Sequence, residues 1–391
     1  TAPNGIARSE EEALNIARRI GYPVVVRPSY VLGGRAMEIV YSDRDLERYM
    51  TVAVQVEPEK PVLIDKFLEN AIEVDVDAIA DLTGRVVIGG IMEHIEQAGI
   101  HSGDSACTLP TTSLSPAVLQ TIRDQTIRLA KALNVIGLMN IQFAVAGAHG
   151  YMPQVYILEA NPRASRTVPF VSKAIGKPLA KLASLIMSGK TLEELGLTQE
   201  ILPNHIAVKE AVLPFDKFPG TDTLLGPEMR STGEVMGIDT DFGKAFTKAE
   251  LAANVRLPLS GTVFVSMNDR DKTAVVPVVK QFLELGFEII ATDGTRKVLK
   301  ENGVKNVGLV LKVHEGRPHI VDAIKNEKIH LIINTPSGED AATDARLLRR
   351  TALSYKVPVI TTIAGATATA AAISRLQTSP MEVKTIQEYI G

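Results

Sequence analysis

From residue 257 onward, short apolar segments alternate with amphipathic helical patterns. Each apolar segment has the length of a buried strand, and a stretch long enough for a helix separates it from the next. Strands connected in this way run parallel to one another, so the alternation predicts a doubly wound parallel sheet. The predicted strands cover residues 263–266, 287–291, 308–311, 331–334 and 357–361.

The earlier part of the chain has a different texture, and 391 residues give room for two or three domains in total. Residues 1–190 mix apolar strands with helical patterns, among them a helix at 9–20 with Ser9 as its N-cap. Residues 191–256 carry more turn signals and end in a linker. We therefore predict a first domain at 1–190, a trailing segment with the linker at 191–256, and a last domain at 257–391.

Composition excludes several classes of protein. The formal net charge of −3 provides no electrostatic basis for a nucleic-acid or membrane partner. The single cysteine, Cys107, excludes an internal disulfide and suits a reducing compartment. No apolar run approaches the ~18 residues that a membrane span requires, and the first residues lack the features of a signal peptide. We expect a soluble cytoplasmic protein.

A pair of glycines follows the first predicted strand. Arg27 comes directly after the apolar residues 24–26, and Gly33 and Gly34 follow it closely. Glycines let backbone amides approach phosphate oxygens, and the arginine supplies positive charge. A plain tight turn would explain the two glycines alone, but together with Arg27 they favour a lid over nucleotide phosphates.

A second cluster of polar residues lies where two later strands end. Glu159 and Asn161 share one face of a strand because side chains alternate, and a hairpin would bring Gln142 beside Glu159. One carboxylate and two amide oxygens suit Mg²⁺, although a structural hydrogen-bond cluster is the alternative. Arg163 and Arg166 follow and would stabilise a phosphoryl group during transfer.

Residues 73–78 alternate strictly between acidic and apolar side chains, which predicts a strand with one face in contact with water. Glu73 could accept hydrogen bonds from the hydroxyl groups of a ribose, with Lys66 and Leu68 nearby to contact adenine through the backbone. Taken alone, Glu73 is more simply a solvated glutamate at a strand end.

The predicted parallel sheet has its own candidate site. Thr292 and Thr295 lie where a strand leads into a helix, and Asn334 ends another strand that is followed by a similar loop. The N-terminus of a helix attracts anions, and Lys272 and Lys312 could add positive charge. Two such loops in one sheet predict a site for a phosphorylated ligand.

Taken together, these motifs resemble the C-terminal half of the large subunit of carbamoyl-phosphate synthetases. The resemblance covers essentially the whole chain. Its most specific segments are RPSYVLGGRAMEIV at 27–40, GGIMEHIEQAG at 89–99, HSGDSA at 101–106, LEANPRASRTVPFVSKA at 158–174 and KVHEGRPHI at 312–320.

The resemblance implies an α/β protein in which an ATP-grasp domain precedes a methylglyoxal-synthase-like regulatory domain with a doubly wound parallel sheet. It implies phosphorylation of carbamate by ATP, with two Mg²⁺ or Mn²⁺ ions and potassium as a further candidate ion. The implied metal ligands are Gln142, Glu159 and Asn161, and the implied catalytic residues are Arg163 and Arg166. The implied ATP contacts are Arg27, Gly33, Gly34, Lys66, Leu68, Glu73, Gly99, Ile100, His101, Ser102, Gln142 and Glu159.

The resemblance also implies partners and limits. Carbamate would arrive from the N-terminal half of the large subunit, which works with a glutaminase small subunit, and UMP or IMP would bind as effector at Lys272, Thr292, Thr295, Lys312 and Asn334. Relative to this family the chain begins inside the ATP-grasp fold, so we expect a fragment or one piece of a split enzyme. Two alternatives remain open: another ATP-grasp carboxylate ligase, and a nucleotide-binding regulatory module without turnover.

Overall fold

The computed structural model describes residues 1–29, 36–56, 61–148, 152–218, 220–335 and 339–390. The chain divides into two compact units. The first comprises Thr1–Asn204, Leu225–Arg230 and Ile386–Gly391, and the second comprises His205–Leu224 and Ser231–Thr385. None of the helices in the described ranges has both the length and the apolar character that a membrane crossing requires.

The first unit begins with a four-stranded antiparallel sheet in the order β1-β4-β2-β3. Its first helix starts where the sequence predicts, because the Ser9 side chain accepts a hydrogen bond from the Glu12 amide. The elements are β1 (Asn4–Ala7), α1 (Glu10–Ile20), β2 (Val24–Pro28), β3 (Glu38–Val40), α2 (Asp43–Val56) and β4 (Val62–Lys66).

A larger antiparallel sheet follows, with five strands of this unit in the order β7-β6-β5-β8-β9. Helix α3 packs its apolar side chains on one face of this sheet, where Val118 and Ile122 join Val74 and Val76 in the core. The elements are β5 (Ile72–Ala80), β6 (Val86–Gln97), β7 (Cys107–Leu109), α3 (Pro116–Ala132), β8 (Gly137–Ala146), β9 (Gln154–Asn161), α4 (Val168–Ile175) and α5 (Leu179–Met187).

The predicted exposure of β5 is wrong. Glu73, Asp75 and Asp77 have exposed fractions of only 5%, 2% and 1%. β5 is the central strand of the five, and it is hydrogen-bonded to β6 on one side and β8 on the other. Helix α3 covers the apolar face. On the acidic face, Asp75 pairs with His94, and Asp77 accepts hydrogen bonds from neighbouring polar side chains. In β5, the alternation of acidic and apolar residues therefore reflects two buried faces, one acidic and one apolar.

The second unit starts with an antiparallel strand pair and a helix. They are more regular than the turn signals in this stretch indicate: β10 (Ile206–Val212), β11 (Gly233–Asp239) and α6 (Phe242–Ala252). Helix α6 packs closely on β11 because Gly237 has no side chain. A Cβ atom there would lie 2.0 Å from the carbonyl oxygen of Ala245.

The predicted parallel sheet is confirmed. All its strand pairs are parallel, and their order is β14-β13-β12-β15-β16. Helices cover both faces, as in a doubly wound fold. The elements are β12 (Thr262–Ser266), α7 (Val275–Glu284), β13 (Glu288–Ala291), α8 (Asp293–Glu301), β14 (Val307–Leu309), α9 (Ile320–Lys325), β15 (Leu331–Asn334), α10 (Glu339–Ser354), β16 (Val359–Ile360) and α11 (Ile363–Thr378); α12 (Ile386–Ile390) belongs to the first unit.

Candidate functional site

Two rows of polar side chains cross β5, β8 and β9 in the first unit. In the upper row, Asp75 is opposite Gln142, which is opposite Glu159. In the lower row, Asp77 is opposite Asn140, which is opposite Asn161. Residues directly opposite each other in an antiparallel sheet project to the same side, so the rows share one face. The predicted position of Gln142 beside Glu159 is therefore confirmed.

Hydrogen bonds orient two of the three amides of this face, Gln142 and Asn161. The Nε2 atom of Gln142 donates to Oγ of Ser102 at 2.6 Å, and Nδ2 of Asn161 donates to Oε1 of Glu159 at 2.8 Å. Both bonds use the amide nitrogens, which leaves the amide oxygens as acceptors beside the Glu159 carboxylate. Such a set of oxygen donors fits Mg²⁺ or Mn²⁺, which keep further positions for water and phosphate.

The two candidate arginines lie on a loop directly after β9. The Arg163 amide donates to the carbonyl oxygen of Asn161 at 2.8 Å, so the loop turns immediately after the last polar residue of the lower row. The Arg166 guanidinium contacts the sulfur of Met229. It also lies close to Gly103, where an added Cβ would be 2.6 Å from Nη1 of Arg166.

Residues 99–104 form a second loop on the same side. The His101 amide donates to the carbonyl oxygen of Gly226 at 2.8 Å, and Nδ1 of His101 accepts from the Gly103 amide at 3.0 Å. Burial lowers the pKa of His101, and the nearby Arg166 lowers it further against the opposing effect of Asp104. A neutral imidazole is therefore favoured near neutral pH.

Gly99 connects this loop to the four-stranded sheet. Its φ of +108° is one that other residues rarely adopt, and a Cβ there would lie 2.9 Å from the ring of Phe67 and 3.3 Å from Ile39. Phe67 follows β4, between the candidate adenine contacts Lys66 and Leu68. Ile100, His101 and Ser102 are thus positioned by a glycine that packs on the other sheet.

Glu73 is an unusual carboxylic acid. Burial raises its pKa to about 7, and the charges of Asp75 and Glu159 act in the same direction against the nearby His94. His94 itself pairs with Asp75, with Nε2 of the histidine 3.0 Å from Oδ2 of the aspartate. Glu73 is therefore close enough to both acidic residues of the upper row to respond to their charge.

Two candidate ATP contacts of the four-stranded sheet, Arg27 and Lys66, interact with neighbouring residues of the first unit. Nε of Arg27 lies 3.4 Å from Oδ2 of Asp65. Nζ of Lys66 donates to the carbonyl oxygens of Gly21 and Tyr22, both at 2.9 Å. Gly33 and Gly34, the predicted lid over the phosphates, lie outside the described residues.

The second unit brings its candidate residues to the carboxyl edge of the parallel sheet, where β12, β13 and β15 end side by side. Thr292 Oγ1 lies 3.3 Å from Oγ of Ser266, and Nδ2 of Asn334 donates to the Ser266 carbonyl oxygen at 3.0 Å. Thr295 Oγ1 accepts from the Met267 amide at 3.0 Å. Within the described ranges, the buried Oδ1 of Asn334 has no hydrogen-bond partner.

Two lysines lie near this edge. Nζ of Lys272 is 2.5 Å from Oδ1 of Asp269, and a Cβ at Gly294 in the first turn of α8 would be 3.0 Å from that nitrogen. Lys272 and, less strongly, Lys312 lower the pKa of Asp269. Residues 336–338, in the second predicted loop, lie outside the described ranges.

Sequence reasoning missed the residues that complete the lower row of the first site. The carboxylate of Asp77 accepts hydrogen bonds from Asn140, Ser165 and Thr167. The available signal was the run of acids at every second position of β5, since three carboxylates on one strand face need partners wherever that face is buried. Among the described residues, no group of three or more His, Cys, Asp and Glu side chains forms a metal site.

Family comparisons match both units. Residues 1–195 match the family described as "Carbamoyl-phosphate synthase L chain, ATP binding domain". Residues 274–361 match the family described as "MGS-like domain". The expected order of an ATP-grasp domain and a methylglyoxal-synthase-like domain is therefore confirmed.

Two curated relatives cover nearly all of the chain. The carbamoyl phosphate synthase large chain of Nostoc sp. is 79% identical over 387 residues, which are 99% of this chain and 35% of that protein. The chloroplastic arginine-specific carbamoyl phosphate synthase large chain of Oryza sativa subsp. japonica is 62% identical over 386 residues, which are 98% of this chain and 32% of that protein. The chain thus spans about a third of the length of these relatives.

A solved structure shows the same fold. The biotin carboxylase domain of the Hydrogenobacter thermophilus 2-oxoglutarate carboxylase, in complex with MgADP, ADP and bicarbonate, aligns with a TM-score of 0.51 and 20% identity. The alignment covers 63% of this chain and 60% of that one. At this identity the likeness concerns the fold alone.

Proposed function

Because the chain belongs to the carbamoyl phosphate synthase large-chain family, we propose that its first unit transfers the γ-phosphoryl group of ATP to carbamate. The observation that carries this proposal is the polar face of β8 and β9, where Gln142 and Glu159 stand opposite each other and the loop with Arg163 and Arg166 begins at Asn161. This face combines hard oxygen donors with guanidinium groups, which phosphoryl transfer requires.

In the proposed reaction, a carboxylate oxygen of carbamate forms a bond to the γ-phosphorus while the bond from phosphorus to the β,γ-bridging oxygen breaks. The products are carbamoyl phosphate and ADP. Gln142, Glu159 and Asn161 would hold two divalent ions, Mg²⁺ or Mn²⁺, which supply positive charge at the phosphate oxygens. Arg163 and Arg166 would stabilise the negative charge on the phosphoryl group as it moves, because a guanidinium offers several fixed donors to phosphate oxygens.

The remaining candidate residues would bind ATP. Glu73 would accept from the ribose hydroxyls and the segment from Lys66 to Leu68 would border the adenine. Arg27 and the loop with His101 would contact phosphates. The raised pKa of Glu73 suits a buried carboxylic group that meets neutral hydroxyls. The full proposed set is Arg27, Gly33, Gly34, Lys66, Leu68, Glu73, Gly99, Ile100, His101, Ser102, Gln142 and Glu159.

The assembly is also a proposal, since the matched relatives are about three times longer than this chain. We propose that carbamate reaches the site from the N-terminal half of the large subunit and that a glutaminase small subunit supplies ammonia. The domain boundaries at 190 and 256 belong to the same proposal. Potassium remains a further candidate ion for the site.

The second unit would bind a nucleoside monophosphate, UMP or IMP. The edge of its sheet offers the hydroxyls of Thr292 and Thr295, the ammonium groups of Lys272 and Lys312, and an amide oxygen of Asn334. A buried acceptor without a partner in the described part of the chain favours a ligand that donates a hydrogen bond, such as a ribose hydroxyl.

The test uses the assembled enzyme and the reverse partial reaction. Carbamoyl phosphate and MgADP should yield ATP, because a site that transfers a phosphoryl group to carbamate must also catalyse the return step. Formation of ATP that depends on a divalent ion supports the proposal. An assembled enzyme that binds MgADP and forms no ATP from carbamoyl phosphate contradicts it.

A further inference from the structure

Asp77 is buried at the centre of the first site and accepts hydrogen bonds from three side chains, one on β8 and two on the loop after β9. Its side chain has an exposed fraction of 1%. Oδ1 accepts from Nδ2 of Asn140 at 3.0 Å and from Oγ of Ser165 at 2.7 Å, and Oδ2 accepts from Oγ1 of Thr167 at 2.7 Å. All three distances are ordinary for hydrogen bonds.

These bonds hold both sides of Arg166. Ser165 and Thr167 are its immediate neighbours, and Arg163 lies two residues before Ser165. With both flanking hydroxyls bound to one carboxylate, the backbone of this loop is attached to the sheet at two points. The third bond, to Asn140, ties the same carboxylate to the strand that carries Gln142.

We propose that Asp77 is a positioning residue for phosphoryl transfer, which holds the loop bearing Arg163 and Arg166 in a fixed relation to the oxygen donors of β8 and β9. The inference rests on the proposed function of this site. Asp77 touches neither arginine directly, so it acts through Ser165 and Thr167. Catalysis of this type depends on accurate placement of charged groups, and a displacement of about 1 Å can cost about 100-fold in rate.

A comparison with Asp81 separates this role from simple stabilisation. Asp81 lies one residue beyond the same strand, is 3% exposed, and accepts from Thr83 and from the Leu192 amide. Its hydrogen bonds outweigh burial and lower its pKa. For Asp77 burial outweighs three hydrogen bonds, and with a smaller contribution from Asp75 it raises the pKa to about 6.

The pKa of Asp77 is raised to about 6, so its side chain is charged above that pH. The folded state is then less stable than it would be with a neutral side chain at this position. A buried charge that costs stability is typical of residues retained for function. The charge of Asp81, with its lowered pKa, favours folding. Asp81→Asn is therefore the matched control for Asp77→Asn.

The experiment compares these two variants in the assembled enzyme. For Asp77→Asn we expect the rate of ATP formation from saturating carbamoyl phosphate and MgADP to fall about 10- to 100-fold, with the KM for MgADP within about twofold. Its melting temperature at pH 8 should equal or exceed that of the wild type. Asp81→Asn should show the opposite pattern, with a lower melting temperature and an unchanged rate.

Thr167→Val provides a second variant, since it removes one donor and leaves the Asp77 charge in place. We expect the same fall in rate with little change in KM. Hydrogen exchange of the amides at 163–167 gives a readout that does not depend on the reaction. Exchange in this segment should increase in Asp77→Asn and stay as in the wild type in Asp81→Asn.

The outcomes are distinguishable. Unchanged exchange at 163–167 in Asp77→Asn, or a rate within about threefold of the wild type, overturns the positioning role. Equal losses of rate and melting temperature in the two aspartate variants also overturn it, because they would indicate a structural role only. A wild-type enzyme that forms no ATP contradicts the proposed function, while faster loop exchange in Asp77→Asn would still support the anchoring of the loop.

Discussion

Gln142 and Glu159 lie directly opposite each other on β8 and β9, although 17 positions separate their numbers in the chain. Ser102 binds the amide nitrogen of Gln142, and Asn161 donates to the carboxylate of Glu159. The pair is therefore already oriented, with its oxygens available for a cation. This arrangement leads to the first of four predictions.

Glu159→Gln should abolish metal-dependent phosphoryl transfer in the assembled enzyme. The change removes the only carboxylate among the three proposed metal ligands, so we expect the rate to fall about 100-fold or more. Initial rates of ATP formation from carbamoyl phosphate and MgADP measure the effect. Glu193→Gln is the control, because the Glu193 side chain is 77% exposed and pairs only loosely with Arg85 at 3.4 Å. A fall of less than about threefold in Glu159→Gln would refute the metal assignment.

Glu73→Gln should stabilise the nucleotide-free protein at alkaline pH. The pKa of Glu73 is about 7 in the folded state against a usual value of 4.5. A raised pKa contributes stability that is fully present below pH 4.5 and is lost as the pH rises through 7. The wild type should therefore be less stable than Glu73→Gln at pH 8, by roughly 1–3 kcal/mol, with a smaller difference at pH 5.

Urea unfolding at the two pH values measures this difference for Glu73. The charged groups that face Glu73 are His94, Asp75 and Glu159, and they remain in both proteins. The KM for ATP should rise in the variant if the carboxylate accepts from the ribose. A stability difference that does not grow with pH would show that Glu73 is not a strained, buried charge.

Gly99→Ala should destabilise the protein and weaken ATP binding more than Gly84→Ala does. Both glycines have positive φ, +108° and +79°, so both variants carry backbone strain of about 1 kcal/mol. Only the Cβ at position 99 would meet another group, the ring of Phe67 at 2.9 Å. We expect the KM for ATP to increase in Gly99→Ala alone, because the loop carrying Ile100, His101 and Ser102 must move. Equal effects in the two variants would contradict a positioning role for Gly99.

Asn334→Ala should weaken the binding of UMP or IMP about tenfold, which corresponds to the loss of one hydrogen bond to a buried group. The reason is that Oδ1 of Asn334 is buried and finds no partner in the described part of the second unit. Calorimetry on the whole protein measures the affinity. Asn302→Ala is the control, because Asn302 lies at the exposed C-terminal end of α8. If folded wild-type protein binds neither UMP nor IMP at millimolar concentration, the effector site is rejected.

Local chemistry made several features predictable. Ser9 and Glu12 define the start of α1 because capping involves only residues three positions apart. The parallel sheet followed from strand and helix lengths, since the alternation itself dictates the connection. Gln142 and Glu159 could be paired because one hairpin joins β8 to β9, and a hairpin determines which residues face each other.

The burial of β5 and the hydrogen-bond partners of Asp77 could not be predicted from local sequence patterns. Whether an alternating strand is exposed depends on what covers each face, and here α3 and the polar groups around Asp77 do so. Ser165 and Thr167 are 88 and 90 positions from Asp77. No local pattern specifies a contact at that separation, because it exists only after the sheet has formed and the loop after β9 has folded back on it. The sequence by itself determined the order of the elements and the chemical groups on each strand. The tertiary structure alone decided which of these groups are buried and which share a hydrogen-bond acceptor.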